Sequence, residues 1–127
     1  MVVSLGLMNT PRVNLVVLRV ADIERAAAFY GLLGFEFLKH AHGTGPEHYA
    51  CEVDGFVFEL YPATGEQGVS SSTRIGFAVA NVDEAAGRVG SFWGARVVVG
   101  PKDSEWGRRA VVADPDGHRI ELVAAGG

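Results

Sequence analysis

The sequence predicts an α+β fold of two βαβββ modules in tandem, each a curved mixed sheet backed by one helix. Three observations support this prediction. Strand-like and helix-like hydrophobic periods follow one another in the same order twice along the 127 residues. Helix-capping residues and an Asp-Gly turn pair recur at matching places. We place the modules at residues 13–61 and 74–123, joined by a connector at 62–73 within a single domain of residues 1–127.

The first module begins with a strand over Val13–Val20, where apolar and polar side chains alternate. Asp22 is a favourable N-cap for a helix over Ile23–Leu33, and Gly34 follows at a position where helices commonly end. Three further strands are expected over Phe35–Lys39, His48–Val53 and Phe56–Tyr61.

The second module has the same order of elements. A strand over Arg74–Val79 precedes Asn81, which caps a second helix that runs as far as Gly94. Three strands are then expected near Arg96–Val99, Arg109–Ala113 and His118–Val123.

The two modules match when the sequence is compared with itself. An offset of 59 residues places Val20-Ala21-Asp22-Ile23 on residues 79–82, which read Val-Ala-Asn-Val. An offset of 62 places Asp54-Gly55 on Asp116-Gly117 and the Glu-Leu pair at 59–60 on the pair at 121–122. Chance rarely repeats a cap, a turn and a strand motif in the same order, so we interpret the chain as a duplication.

Composition excludes several classes of function. The chain has 11 basic and 15 acidic side chains, and its scattered basic residues predict no continuous face for nucleic acid. No apolar run approaches the roughly 20 residues that span a bilayer, so no membrane partner is expected. The single cysteine, Cys51, permits no internal disulfide, which fits a cytoplasmic protein, and strand alternation turns it toward the core. The expected partner is a small molecule.

Alternation along the strands assigns side chains to a helix-side face and an outer face of each sheet. The outer faces mix apolar and charged residues, as ligand-binding surfaces do. Trp106, in a loop over Pro101–Arg108, either covers a ligand or a dimer contact or packs under its own loop. The residues that we predict to contact a ligand are Leu15, Val17, Arg19, His48, Glu52, Val57, Tyr61, Arg74, Trp106 and Arg119.

Four histidines are weaker candidates. His40, His42 and His48 surround a glycine-rich loop and could hold a metal, but solvent-exposed loop histidines are the favoured interpretation for the first two. His118 follows the second Asp-Gly pair, and we expect it at the shoulder of a turn, on the helix side or at the exposed start of a strand.

These motifs resemble the vicinal oxygen chelate superfamily, which contains glyoxalase I, extradiol dioxygenases, and fosfomycin and bleomycin resistance proteins. The resemblance rests on residues 18–25 (LRVADIER), 106–108 (WGR) and 114–122 (DPDGHRIEL), and it covers about residues 13–123. It implies the glyoxalase/bleomycin resistance/dioxygenase fold and a homodimer with cavities between paired modules.

In metal-dependent members, the resemblance implies a His or Gln in the first strand of each module and a Glu in the last strand. These positions fall here on Leu15, Glu59, Arg74 and Glu121. Leucine has no lone pair and a guanidinium has no acceptor, so only Glu59 and Glu121 could coordinate an ion, and we expect no metal cofactor. We hypothesise that Arg74 balances the charge of these carboxylates; the alternative is that Arg74 points into solvent.

The resemblance therefore implies a metal-independent binder of a small organic ligand, similar to the antibiotic-sequestering bleomycin resistance branch. One alternative is an enzyme, a glyoxalase I-like lyase or isomerase or an extradiol dioxygenase, that uses a metal or Glu59 and Glu121 as general bases. Another is a divergent binding module with an unrelated ligand. The outer faces are not strongly acidic, which argues against the cationic bleomycin itself.

Overall fold

The computed structural model of the protein describes residues 10–41 and 43–125, which form eight strands and two helices. Their bounds are β1 Leu15–Val20, α1 Ile23–Gly31, β2 Leu38–His40, β3 His48–Val53, β4 Phe56–Pro62, β5 Arg74–Val79, α2 Val82–Gly90, β6 Arg96–Ser104, β7 Gly107–Ala113 and β8 Arg119–Ala124.

The strands form two four-stranded sheets. Sheet 1 has the order β1-β4-β3-β2, and sheet 2 has the order β5-β8-β7-β6. In each sheet the first strand of the module runs parallel to the last, and the other pairs are antiparallel. The bounds of β5 and α2 lie 59 residues after those of β1 and α1. The α+β fold of two βαβββ modules is therefore confirmed.

Both helices begin at the capping residues that the sequence indicates. The Asp22 carboxylate accepts hydrogen bonds from the backbone N–H groups of Glu24 and Arg25, at 3.0 and 3.2 Å. The Asn81 side chain accepts one from the N–H of Glu84 at 2.9 Å. These bonds satisfy donors that the first helical turn leaves without partners.

The hairpin between β3 and β4 also follows its sequence signal. Asp54 and Gly55 both have positive φ, at 51° and 82°, as a tight two-residue hairpin turn requires. Two regular strands leave this turn, so Cys51 on β3 points to the helix side and is buried, as expected.

Both helices end earlier than expected, α1 at Gly31 and α2 at Gly90. The N–H groups of Leu32 and Leu33 bond to carbonyls three residues earlier, each at 3.0 Å, and residues 91 and 92 do the same after α2. Each helix thus ends in a tighter 3₁₀-type turn before the chain reaches the glycine that follows it.

Two strands differ most from the sequence prediction, and the other strand bounds shift by at most two residues. Strand β2 starts at Leu38 instead of Phe35, and Phe35 and Phe37 pack against the core just before it. Strand β6 continues to Ser104, because two irregularities in its pairing with β7 let it pass Gly100 and the following proline. The expected loop over Pro101–Arg108 is therefore wrong.

One core lies between the helix-side faces of both sheets. Buried residues of both modules form a single hydrophobic cluster. Phe77 of β5 links them, with ring centroids 4.8 Å from Phe35 and 5.6 Å from Phe58 of the first module. Because both sheets cover this shared core, their outer faces point away from it and from each other.

None of the helices in the described ranges is long and apolar enough to cross a membrane.

Candidate functional site

The outer face of sheet 1 carries four planar side chains in one row across its strands, which we call the sheet 1 stack: Arg19, Tyr61, His48 and His40. Strand register places Arg19 opposite Tyr61 and His40 opposite His48. The Arg19 guanidinium lies 4.9 Å from the Tyr61 ring centroid, and the Tyr61 and His48 rings stack at 4.2 Å with their planes 10° apart. The geometry suits recognition of a planar group, because aromatic and guanidinium faces stack readily.

Glu59 lies beside this stack on the same face. Its Oε2 is 3.8 Å from His48 Nε2, which is too long for a hydrogen bond. The His48 side chain is 5% exposed and that of Glu59 is 21% exposed. Val17 faces Glu59 across the parallel β1–β4 pair. The surroundings of Glu59 on the sheet 1 face therefore combine a carboxylate, an imidazole and apolar surface.

The outer face of sheet 2 holds a second carboxylate, Glu121, between two arginines. Arg74 Nε donates to Glu121 Oε2 at 2.7 Å. Arg109 donates to Oε1 through Nε and Nη2, at 3.1 and 2.7 Å. The hydrogen bonds from Arg74 and then Arg109 lower the pKa of Glu121. Glu121 is therefore held as an ionised carboxylate with both oxygens engaged, which makes it a weak base.

The four positions that the resemblance assigns to a metal do not fit one. Leu15 offers no donor atom, and Arg74 brings a permanent positive charge to the site. An ion at Glu121 would have to displace two arginines from its oxygens. The structure pairs Arg74 with Glu121, while the Arg74 side chain remains 54% exposed. No bond between described residues brings Arg74 to Glu59.

Arg109 is a site residue that sequence reasoning missed. The sequence did predict a strand over Arg109–Ala113, followed by an Asp-Gly turn. An antiparallel hairpin through that turn places Ala113 opposite Arg119 and Val111 opposite Glu121. Arg109 then lies on the same face as Glu121, so the cross-strand register was the signal that could have identified it.

A buried polar network joins the two modules at the turn between β7 and β8. Tyr30 of α1 donates its hydroxyl to Asp114 Oδ2 at 2.6 Å, and His118 Nδ1 lies 2.8 Å from the same oxygen. Asp114 Oδ1 accepts from the backbone N–H groups of Asp116 and His118, at 3.0 and 2.9 Å. All the hydrogen-bonding capacity of Asp114 is thus directed inward, to this turn and to Tyr30.

This network decides between the two positions expected for His118. The residue is fully buried on the helix side, not exposed at the start of a strand. Ligand atoms of Asp114, Asp116 and His118 lie within 4.8 Å of one another, close enough to suggest a metal. However, each oxygen of Asp114 already accepts two hydrogen bonds, and Asp116 accepts one from the Ala21 N–H at 3.3 Å. We therefore interpret the cluster as a structural link between the modules.

The remaining predicted residues lie on the same outer faces, with one exception. Leu15 and Glu52 both pair with Val57 in sheet 1, and Arg119 pairs with Arg74 in sheet 2. Trp106 lies instead at the tip of the β6–β7 hairpin and is 72% exposed, so it does not pack under its own loop. His42 lies outside the described residues.

The outer faces of one chain are open surfaces. A groove of about 470 Å³ is lined by Phe35, Phe56 and Phe77, and its walls include none of the predicted ligand-contact residues. The two outer faces also point in different directions, away from the shared core. This groove therefore lies apart from the predicted ligand-contact residues.

Comparison with known proteins gives one family. The family model of the Glyoxalase/Bleomycin resistance protein/Dioxygenase superfamily matches residues 12–122. A lactoylglutathione lyase of Salmonella typhimurium is 31% identical over 121 residues, covering 85% of this chain and 88% of the relative.

Solved structures with the same fold include two from Streptomyces sp. CB03234. The antibiotic binding protein TnmS3 is 28% identical with a TM-score of 0.71, over 92% of this chain and 98% of the other. A glyoxalase/bleomycin resistance protein is also 28% identical with a TM-score of 0.68, over 88% of this chain and 99% of the other.

Proposed function

The chain belongs to the Glyoxalase/Bleomycin resistance protein/Dioxygenase superfamily, and from this premise we propose that it binds and sequesters a small organic ligand without a transition metal. The observation that carries the proposal is the pairing of Glu121 with Arg74 and Arg109. In this arrangement the two arginine side chains, and not a metal ion, balance the charge of the Glu121 carboxylate. Leu15 supports the same conclusion, since a leucine there supplies apolar contact area and no metal ligand.

We also propose that the binding cavity forms between two copies of the chain. Within the described residues, strands β1 and β5 lie at sheet edges and each pairs on one side only. Leu15 and Val17 on β1 are 51% and 41% exposed, an arrangement that natural edge strands usually avoid. Pairing sheet 1 of one protomer with sheet 2 of its partner would cover these side chains and bring the sheet 1 stack opposite Glu121.

Sedimentation equilibrium tests this arrangement. We expect a mass twice the 13.5 kDa of one chain for the wild type, and the monomer mass for Val17→Asp, because a second carboxylate buried opposite Glu59 is costly. Val53→Asp is the matched control, since Val53 is 50% exposed away from β1 and should leave the dimer intact. A monomeric wild type would contradict the proposal.

An enzymatic alternative keeps one observation in its favour besides the lyase relative. Glu59 lies next to a nearly buried imidazole, a pairing that can serve proton transfer. Glu121 does not share this property, because its lowered pKa makes it a poor base. A lyase or isomerase on this scaffold would therefore depend on Glu59.

A thermal-shift screen combined with product analysis separates the two functions. The panel contains bleomycin-type glycopeptides, glutathione thiohemiacetals and catechols, each added with and without a metal chelator. We expect at least one compound to raise the unfolding midpoint, since a ligand that binds only the folded state stabilises it. The compound should be recovered unchanged, and chelator should not matter. Turnover that Glu59→Gln abolishes would instead establish the enzyme.

A further inference from the structure

The outer face of sheet 2 concentrates positive charge in a chain whose net charge is −4. Strand register places Arg74 opposite Arg119, Arg119 opposite Ala113, and Ala113 opposite Arg96. Lys102 lies opposite Arg109. Directly opposed residues project from the same side of a sheet. Five cations therefore share this face, which we call the basic face: Arg74, Arg96, Lys102, Arg109 and Arg119.

A single carboxylate faces these cations. Among the strand residues of sheet 2, register places only Glu121 with them. Its hydrogen bonds engage Arg74 and Arg109. The side chains of Arg96, Lys102 and Arg119 make no hydrogen bond or ion pair with any residue in the described ranges. The basic face thus keeps an excess of positive charge and of unused donors.

The basic face also has an apolar strip. Val111 lies between the cations, opposite Glu121, and is 3% exposed although it belongs to the outer face. Val99 and Val123 flank it on the neighbouring strands and are partly exposed, so these two side chains offer the apolar contact surface that the covered Val111 does not. Cations around a water-poor apolar strip attract an anion more strongly than cations in open water do.

We propose that the basic face binds the anionic group of an amphipathic organic ligand, a carboxylate, sulfonate or phosphate whose apolar part lies along the valine strip. Guanidinium groups suit this chemistry because they present paired N–H donors to two oxygens of one oxyanion. This inference rests on the proposed function and names its ligand class. It also explains why a cationic antibiotic is a poor candidate, since five cations would repel it.

A pair of fluorescent probes that differ in one group tests the inference. 8-Anilinonaphthalene-1-sulfonate carries a sulfonate, and N-phenyl-1-naphthylamine is the same skeleton without it. We expect the wild type to bind the sulfonate probe about 10-fold more tightly than the neutral one. Arg119→Gln with Lys102→Gln should weaken sulfonate binding by about 10-fold and leave the neutral probe unaffected.

The control variant removes the same net charge elsewhere. Arg108→Gln with Lys39→Gln deletes two cations that pair with Asp83 and Glu24 outside the basic face, and it should bind both probes like the wild type. The single variant Lys102→Gln, at an exposed position, keeps the test valid if the double variant melts early.

Each other outcome overturns the inference in a recognisable way. Equal binding of both probes by all variants rejects an anion site but leaves the proposed function standing. Binding of neither probe also rejects the anion site, and the thermal-shift panel then tests the proposed function separately. If the control variant weakens binding of the sulfonate probe equally, the effect comes from net charge and not from the basic face. Displacement of the sulfonate probe by a short DNA duplex, weakened in the Arg119/Lys102 variant, would make the face a nucleic-acid surface instead.

Discussion

Asp114→Asn is expected to lower the free energy of unfolding by about 3–5 kcal/mol, because removing one partner of a buried charged network leaves the others unpaired. An asparagine cannot accept at both of its terminal atoms. Its amide would face the Tyr30 hydroxyl and His118 Nδ1, which both point at Oδ2 from 2.6 and 2.8 Å. The network also joins α1 of the first module to the second module, so its loss weakens their packing.

Urea denaturation of matched variants measures this effect. Asp116→Asn is the control, since Asp116 is only partly buried and accepts a single hydrogen bond of 3.3 Å from the Ala21 N–H. We expect the control to lose less than about 1 kcal/mol. An Asp114→Asn variant as stable as this control would show that the network contributes little.

The same carboxylate predicts a pH dependence. Burial alone would raise the pKa of Asp114. The hydrogen bonds from His118 and Tyr30 lower it by more than burial raises it, so the pKa lies below the ordinary value of 3.8. The unfolded chain then binds a proton more readily than the folded one as pH falls. Stability from Asp114 is therefore complete above its ordinary pKa and lost as pH falls through the lowered value. In Asp114→Asn, the free energy of unfolding should therefore depend less on pH in this acidic range.

Arg74→His is expected to create transition-metal binding about 10-fold or more tighter than that of the wild type. The substitution replaces a guanidinium by an imidazole and frees Glu121 Oε2 from its 2.7 Å bond to Arg74. A nitrogen donor and a carboxylate then share one end of the site. Calorimetric titration with Zn²⁺ or Ni²⁺ measures the gain.

Arg119→His is the matched control for this experiment. Arg119 is the direct cross-strand neighbour of Arg74, but its side chain makes no bond to Glu121. The control adds an imidazole to the same face while leaving Glu121 paired with both arginines. Similar affinities for the two variants would mean that the arginine pair does not determine metal exclusion.

The local features of this fold are predictable from its sequence. Asp22 and Asn81 cap their helices through bonds to residues only two or three positions away, so the cap sequence suffices. The turn at Asp54 and Gly55 depends on backbone angles that these two residues tolerate. The duplication then extends each local interpretation to the other module.

Features that depend on distant partners were missed or misplaced. His118 is buried because Tyr30 of the other module meets Asp114 at the same point, and nothing near position 118 indicates that contact. The length of β6 depends on irregular pairing with β7, which no alternation in β6 alone could predict. The basic face likewise emerges only from register across four strands.

The metal content of the purified wild-type protein tests the central claim most directly. After exposure to excess Zn²⁺, Ni²⁺ and Fe²⁺ and removal of unbound ions by dialysis, plasma mass spectrometry should find less than about 0.1 ion per chain, because Glu121 is occupied by arginines and nitrogen donors are missing at Leu15 and Arg74. One ion per chain that Glu121→Gln removes would contradict the account.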